Sequence, residues 1–179
     1  MSGHNATAPS TWIERFAARV PSGPVLDVAA GAGRHTRFFQ ELGHPVTAID
    51  RDVSRLLAFA ADPTVTVIPR DLEGEPPWPF AGQTFAAVVV TNYLHRPLFP
   101  ALLLSVAPGG LLLYETFAAG NERFGKPSHP DHLLRPGELL EVVRDTLQVV
   151  AYEHLVVDTP YPAVVQRVAA QHGATYSWS

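Results

Sequence analysis

Apolar and polar positions along this chain follow a repeating order in which short apolar runs alternate with stretches of helical spacing. Val25-Leu26-Asp27-Val28 reads as a strand and leads into the small-residue turn Ala29-Ala30-Gly31-Ala32-Gly33. Arg34 to Leu42 then carries Phe38, Phe39 and Leu42 at helical spacing, and Gly43-His44-Pro45 ends it. Val46 to Asp50 is a second strand. Ser54 to Ala61, with Leu56, Leu57 and Phe59, predicts a short helix closed by Asp62-Pro63, and Val65 to Ile68 a third strand. After the proline-rich stretch Glu73 to Phe80 comes Phe85 to Thr91, a near-continuous apolar run of the kind expected for a central strand covered on both faces. Leu98 to Val106 predicts a helix stopped by Pro108-Gly109-Gly110, and Leu111 to Phe117 a fifth strand. The alternation pauses over residues 118–135. Pro136-Gly137-Glu138 opens an amphipathic helix through Asp145, and Leu147 to Leu155 and Ala163 to Ala170 are two more strand-like runs. Strands alternating with helices predict a doubly wound α/β domain with a largely parallel sheet. Trp12, Ile13 and Phe16 add a helical cap within residues 1–20, set to fold over a ligand or to cover the sheet.

The candidate chemistry sits where the first strand meets the first helix. Glycines and alanines leave a backbone that can lie against a ligand, and the helix that follows points its first amides at whatever the turn holds. Asp50, an acid seventeen residues beyond Gly33 at the end of the second strand, occupies the place used to grip a ribose. Its other reading is a cap on the segment that follows, together with Arg51 and Asp52. A dinucleotide site needs a third glycine for close packing around a pyrophosphate, and His35 or Thr36 stands there instead. Asp27 before the turn would repel a phosphate, yet it can accept hydrogen bonds from an ammonium or an ordered water. His35 and Arg34 read as solvated or loop-bracing.

With acid, glycine-rich turn, helix, strand and second acid in this order, residues 20–170 resemble the class I S-adenosylmethionine (SAM)-dependent methyltransferases. Within them the chain is most similar to the tellurite-resistance type and other compact bacterial enzymes acting on small molecules. Ala29 replaces the usual first glycine of the motif. The resemblance implies a Rossmann-like seven-stranded sheet, mostly parallel with an antiparallel last strand, and SAM as cofactor with S-adenosylhomocysteine (SAH) as product. It implies cofactor contacts from Asp27, Ala29, Gly31, Gly33, Asp50, Arg51, Asp71, Leu72 and Asn92. Asp50 would hold the ribose hydroxyls, Asp71 and Leu72 the adenine side, and Asn92 with Tyr93 the segment after the fourth strand. Asn92, Tyr93, His95 and Arg96 would then flank the methyl group. Methyl transfer is an in-line displacement in which alignment supplies much of the acceleration, so a base is optional. His95 is the candidate base for an acceptor such as a thiol. Asp71 reads equally as an exposed loop acid, Tyr93 and Phe117 as aromatic packing, and His95 as a structural histidine.

Composition narrows this picture. The chain has 179 residues, 46% of them hydrophobic, enough for one core and one domain over 1–179. Zero cysteines exclude disulfides, thiolate zinc sites and cysteine nucleophiles, and fit a reducing cytoplasm. Met1 to Ser10 is polar without an apolar core, and no run is long enough to span a bilayer, so export and a membrane span are not expected. A net charge of −4 without a basic arm disfavours a nucleic-acid partner. A monomer or homodimer is expected.

Residues 118–135 form a long connection of the kind that serves as a lid or binding loop. Arg123, Lys126, His129, His132 and Arg135 give it a local positive bias suited to a small anionic acceptor, the alternative being a solvated loop. Arg96, Phe117, Arg123 and Lys126 are the candidate substrate contacts. His129-Pro130-Asp131-His132 lacks a third partner at a metal-binding spacing, and no metal is expected. The function expected is methyl transfer to a small molecule, with a sulfur or heavier chalcogen nucleophile among the acceptors. Three rivals stand beside it. An RNA or protein methyltransferase working with a partner would show a positive rim at the strand ends. A SAM-binding module without catalysis would bind cofactor and turn over nothing. A nicotinamide-dependent oxidoreductase is opposed by the missing third glycine.

Overall fold

A computed structural model describes residues 8–74 and 78–173. Seven strands form one sheet: β1 (Val25–Val28), β2 (Val46–Asp50), β3 (Val65–Pro69), β4 (Phe85–Thr91), β5 (Val106–Phe117), β6 (Gln148–Val157) and β7 (Ala163–Gln171). Their spatial order is β3-β2-β1-β4-β5-β7-β6. The first five run parallel, and β7 is antiparallel to both β5 and β6. This is the doubly wound, mostly parallel sheet expected from the sequence. Its order reverses between β1 and β4, the switch point at which such sheets open a crevice beyond their carboxyl ends.

The period-two pleat of the central strands divides their side chains between two cores. Val88 and Val90 of β4 join Leu112 and Tyr114 of β5 on one face, under α3 (Phe99–Leu104) and α4 (Glu138–Val143), which contribute Leu102, Leu139 and Val143. Ala87, Val89, Leu111 and Leu113 face the other way, against α1 (Thr11–Ala17) and α2 (Arg34–Glu41), which contribute Trp12, Ile13, Phe16 and Phe39. The α1 cap begins at Ser10, whose hydroxyl accepts the Trp12 N–H at 3.1 Å.

Two expected elements take a different form. Ser54–Phe59 is a 3₁₀ helix rather than an α-helix. Three residues per turn set Leu56 and Phe59 on one side, both buried against Ala30 and Ala48, while Leu57 is left exposed. Pro108-Gly109-Gly110 does not precede β5 but bulges within it. Phe85 pairs with Val106 and Ala87 with Leu111, so the intervening residues loop out opposite Ala86. A side chain at Gly110 would meet three backbone carbonyl oxygens at 2.9 Å, which explains the glycine. Because Val106 already pairs with β4, the helix before it ends at Leu104.

Residues 118–135 are tied at both ends. Ala118 and Leu134 form a parallel bridge, Ala119 N–H donates to Leu134 O at 2.9 Å, and Leu134 N–H donates to Phe117 O at 3.0 Å. Short 3₁₀ turns, Asn121–Arg123 and Pro130–His132, lie between. Among the described residues no helix is long and apolar enough to cross a membrane.

Candidate functional site

The turn after β1 is built from backbone that avoids the usual right-handed region. Ala29, Gly31 and Gly33 have φ of 54°, 57° and 75°. Ala29 and Asn92 are the two non-glycine residues with positive φ among those described, and they stand at the ends of the adjacent strands β1 and β4. Such backbone costs on the order of 1–2 kcal/mol at each non-glycine position and gathers at functional sites. Asp50 completes the turn: its carboxylate accepts the Gly31 N–H at 2.8 Å and the Asp52 N–H at 2.9 Å.

Under the turn lies a buried polar layer. Asp27 is 2% exposed and accepts the Thr36 hydroxyl at 2.6 Å, and burial pushes its carboxyl up to about 6. It braces the turn from below and does not line the crevice. His35 is also buried, so of the two readings of this residue the bracing one holds. Its Nε2 accepts the Ser10 N–H at 3.0 Å, and burial, with the Arg34 charge, holds the ring down to about 3. The neutral ring thereby fastens the N-terminal segment against the turn. Ser10 also donates its hydroxyl to Glu115 at 2.7 Å, and Glu115 pairs with Arg167 at 2.9 Å. Arg167 in turn pairs with Glu153 at 2.6 Å and stacks over Trp12.

These elements enclose a cavity of about 800 Å³ at the carboxyl ends of β1, β4 and β5. Ala29, Gly31 and Asn92 line it from the strand ends, Ser10 from the N-terminal segment, and Glu115 and Tyr161 from the far side. A second, shallow cavity of about 570 Å³, open to solvent, lies beside it, and Asn92, Phe117 and Tyr161 line both.

The sequence-predicted site residues divide accordingly. Ala29, Gly31, Asn92 and Phe117 come together at the first cavity, and Lys126 lines the second. Gly33 instead faces the core, where a Cβ would lie 2.6 Å from Phe59 and 2.7 Å from Leu56. Asp50, Asp71 and Glu73 face the Tyr93 hydroxyl, which is buried without a hydrogen-bond partner of ordinary geometry. Burial first, then the Glu73 carboxylate, keeps that phenol well above its usual range. Asp71 is exposed and accepts the Glu73 N–H at 2.9 Å, Leu72 packs against the larger core, and Arg51 is exposed. Tyr114 donates its hydroxyl to Tyr93 O at 2.8 Å and so fixes the loop after β4. His95 is half-buried in that loop and lines neither cavity.

Arg96 is placed differently from its expected substrate contact. It pairs with Glu138 at 2.7 Å and donates to the carbonyls of Asp131 and Leu133 at 2.8 and 2.9 Å, so its guanidinium holds the 118–135 loop. Arg123 donates to Gly120 O at 3.1 Å and packs on Phe124, lining neither cavity. Among the described residues no group of three acids or histidines could hold a metal ion. Sequence reasoning missed Ser10, Arg167 and Tyr161 as parts of the site. An ionic residue inside a strand that is apolar apart from two glutamines, as Arg167 is in β7, was the available signal.

No protein-family model and no curated protein matches the sequence. Solved structures do match the fold. TehB from Haemophilus influenzae superposes with a TM-score of 0.75 at 17% identity, over 94% of this chain and 64% of that one. The present chain thus spans under two thirds of TehB. The glycopeptide N-methyltransferase MtfA, in complex with SAM, gives 0.62 at 23% identity, over 95% and 98% of the two chains. The 1,6-didemethyltoxoflavin-N1-methyltransferase of Burkholderia thailandensis, with its acceptor and SAH bound, gives 0.67 at 18%, over 96% and 80%. With its strand order, its antiparallel β7 and these superpositions, the chain has the fold of the class I SAM-dependent methyltransferases.

Proposed function

We propose that the chain is a SAM-dependent methyltransferase acting on a small-molecule acceptor. The observation that carries this reading is the strand-end cavity itself: left-handed backbone at Ala29 and Gly31 on one wall, joined through Asn92 to a second cavity. A Cβ at Gly31 would meet nothing within 4 Å, so the turn presents open backbone on that side. The cavity falls within the range of about 300–1,000 Å³ common for small-ligand sites. Tyr93 lines neither cavity; its buried hydroxyl, next to the Glu73 carboxylate and near Asp50 and Asp71, would add a polar group beside the ribose and adenine end.

Bound SAM would supply a methyl group on a sulfonium, leaving SAH. The residues of the chain that would hold it are Ala29 to Ala32 on the cavity wall, with Asp50 outside the lining fixing Gly31 and keeping lone pairs for ribose hydroxyls. Asn92, at the junction of the two cavities, would orient the acceptor. His95, the base expected for an acceptor that must lose a proton, such as a thiol, lines neither cavity, so an acceptor that is already an anion and needs no base is favoured. Two neighbours in fold, MtfA and the toxoflavin enzyme, are named for methylation of small or peptidic nitrogen acceptors, which supports the class without fixing the acceptor atom.

Calorimetric titration with SAH, with NADH as control, tests the reading. Micromolar binding of SAH and none of NADH is expected. Binding of NADH instead, or of neither, would overturn it.

A further inference from the structure

The second cavity has a chemistry of its own. Phe117, Tyr161 and Pro127 give it apolar walls, and Lys126, His129 and His132 give it cationic and hydrogen-bonding groups; among the described residues no acid lines it. The neighbouring Asp131 is 83% exposed and lies 3.6 Å from His129 Nδ1. Other basic side chains nearby are engaged: Arg96 and Arg135 with Glu138, Arg167 with Glu115 and Glu153. Lys126 is different. Among the described residues it makes no ion pair, and it lines the second cavity as an exposed cation.

The loop bearing these groups is held from behind. Asn121 is 2% exposed, donates its amide N–H to Pro127 O at 3.0 Å and accepts the Val164 N–H at 3.1 Å. Arg96 fixes the other limb through Asp131 O and Leu133 O. A preorganised loop loses little entropy when a ligand arrives. The cavity also meets the strand-end crevice at Asn92, so a molecule seated in it would present one end to whatever the crevice holds.

From this we infer that the second cavity is the acceptor chamber, and that it selects a small anion with a flat apolar body. The anionic group seats at Lys126, with His129 and His132 as further donors, the body lies against Phe117 and Tyr161, and the methyl-accepting end points to Asn92. The inference rests on the methyltransferase reading for the identity of the ligand as acceptor, but the chamber can be tested apart from it.

The probes are 2-naphthoate and its uncharged, equally sized analogue 2-naphthamide, titrated into SAH-saturated protein. Naphthoate is expected to bind at least tenfold tighter than naphthamide. Lys126→Gln should cut that preference to threefold or less, and Lys126→Arg should restore most of it, with circular dichroism unchanged in both variants. Equal affinity for the two probes, a preference untouched by Lys126→Gln, or no binding of either would overturn the chamber. If SAH fails to bind, the methyltransferase reading falls instead, and the same titrations on the free protein still decide the chamber.

Discussion

Replacing Gly33 by alanine separates the two things the turn after β1 does. Gly33 sits at φ 75°, where a side chain costs roughly 1–2 kcal/mol. The added Cβ would also fall 2.6 Å from Phe59 and 2.7 Å from Leu56. Both rings and methyls are themselves buried, at 4% and 0% exposure, in the small core with Ala30, Ala48 and Val65, so neither can swing into solvent. Overpacking of this kind costs about 1–3 kcal/mol, giving about 3 kcal/mol in all with the backbone penalty. For a chain of this size, about 3 kcal/mol corresponds to a melting point lowered by roughly 6–12 °C. Gly31→Ala is the control: its φ is 57°, but its Cβ would meet nothing within 4 Å. It should lose only the backbone penalty of about 1–2 kcal/mol in stability, yet narrow the crevice and weaken SAH binding. Differential scanning calorimetry measures the first effect and SAH titration the second. A Gly33→Ala protein melting within a degree or two of the wild type would refute the packing argument, and a Gly31→Ala protein with unchanged SAH affinity would refute the placing of the ligand.

The buried polar pair beneath the turn predicts opposed pH effects. Asp27 is raised from 3.8 to about 6, so between those values the native state holds the extra proton and stability falls as pH rises; His35 is lowered from 6.5 to about 3, so the unfolded chain holds the extra proton and stability falls as pH drops. Relative to wild type, Asp27→Asn should therefore lose stability on acidification from pH 6 to pH 4 and His35→Gln should gain it, each with a limiting slope of about 1.4 kcal/mol per pH unit. Urea unfolding across that range measures it, and two variants that track the wild type would refute it. Arg96→Ala should destabilise by about 2 kcal/mol, below the roughly 3–5 kcal/mol of a fully buried pair, because the Arg96 side chain is 33% exposed. It should also speed proteolytic cleavage within residues 118–135. Arg96→Lys should recover only part of this, since an ammonium cannot span Glu138 and two carbonyls at once. Unchanged cleavage in Arg96→Ala would show that the loop is held by other contacts.

Much of the fold was legible because the sheet writes itself into local pattern. The bounds of β2 and β4 follow from apolar runs whose alternate residues feed two cores, and the turn after β1 from small residues that nothing else explains. What escaped depends on partners remote in the chain. Arg96 reads as a substrate contact beside a strand end, and only folding brings Glu138, forty-two residues later, to its guanidinium. His35 reads as solvated or loop-bracing, and only the folded N-terminal segment, whose Ser10 donates to it, decides for bracing. Tyr161 lies in the turn between β6 and β7, and it reaches the crevice only because β7 inserts antiparallel between β5 and β6. Leu56 and Phe59 fit an α-helix and a 3₁₀ helix equally in spacing, so the sequence pattern does not separate the two, and the chain takes the tighter one.

The bridge between Ala118 and Leu134 has a consequence for how such proteins diversify. It brings the two ends of the intervening loop to the spacing of neighbouring strands, about 5 Å, at the rim of the sheet. A segment that leaves and returns at one point can be exchanged, lengthened or shortened without shifting any strand register. The strand registers are thereby insulated from changes in the loop, whereas a transplanted 118–135 segment would bring Lys126, His129 and His132 but would still need Arg96 and Val164 to seat it and Asn92, Phe117 and Tyr161 to complete the second cavity.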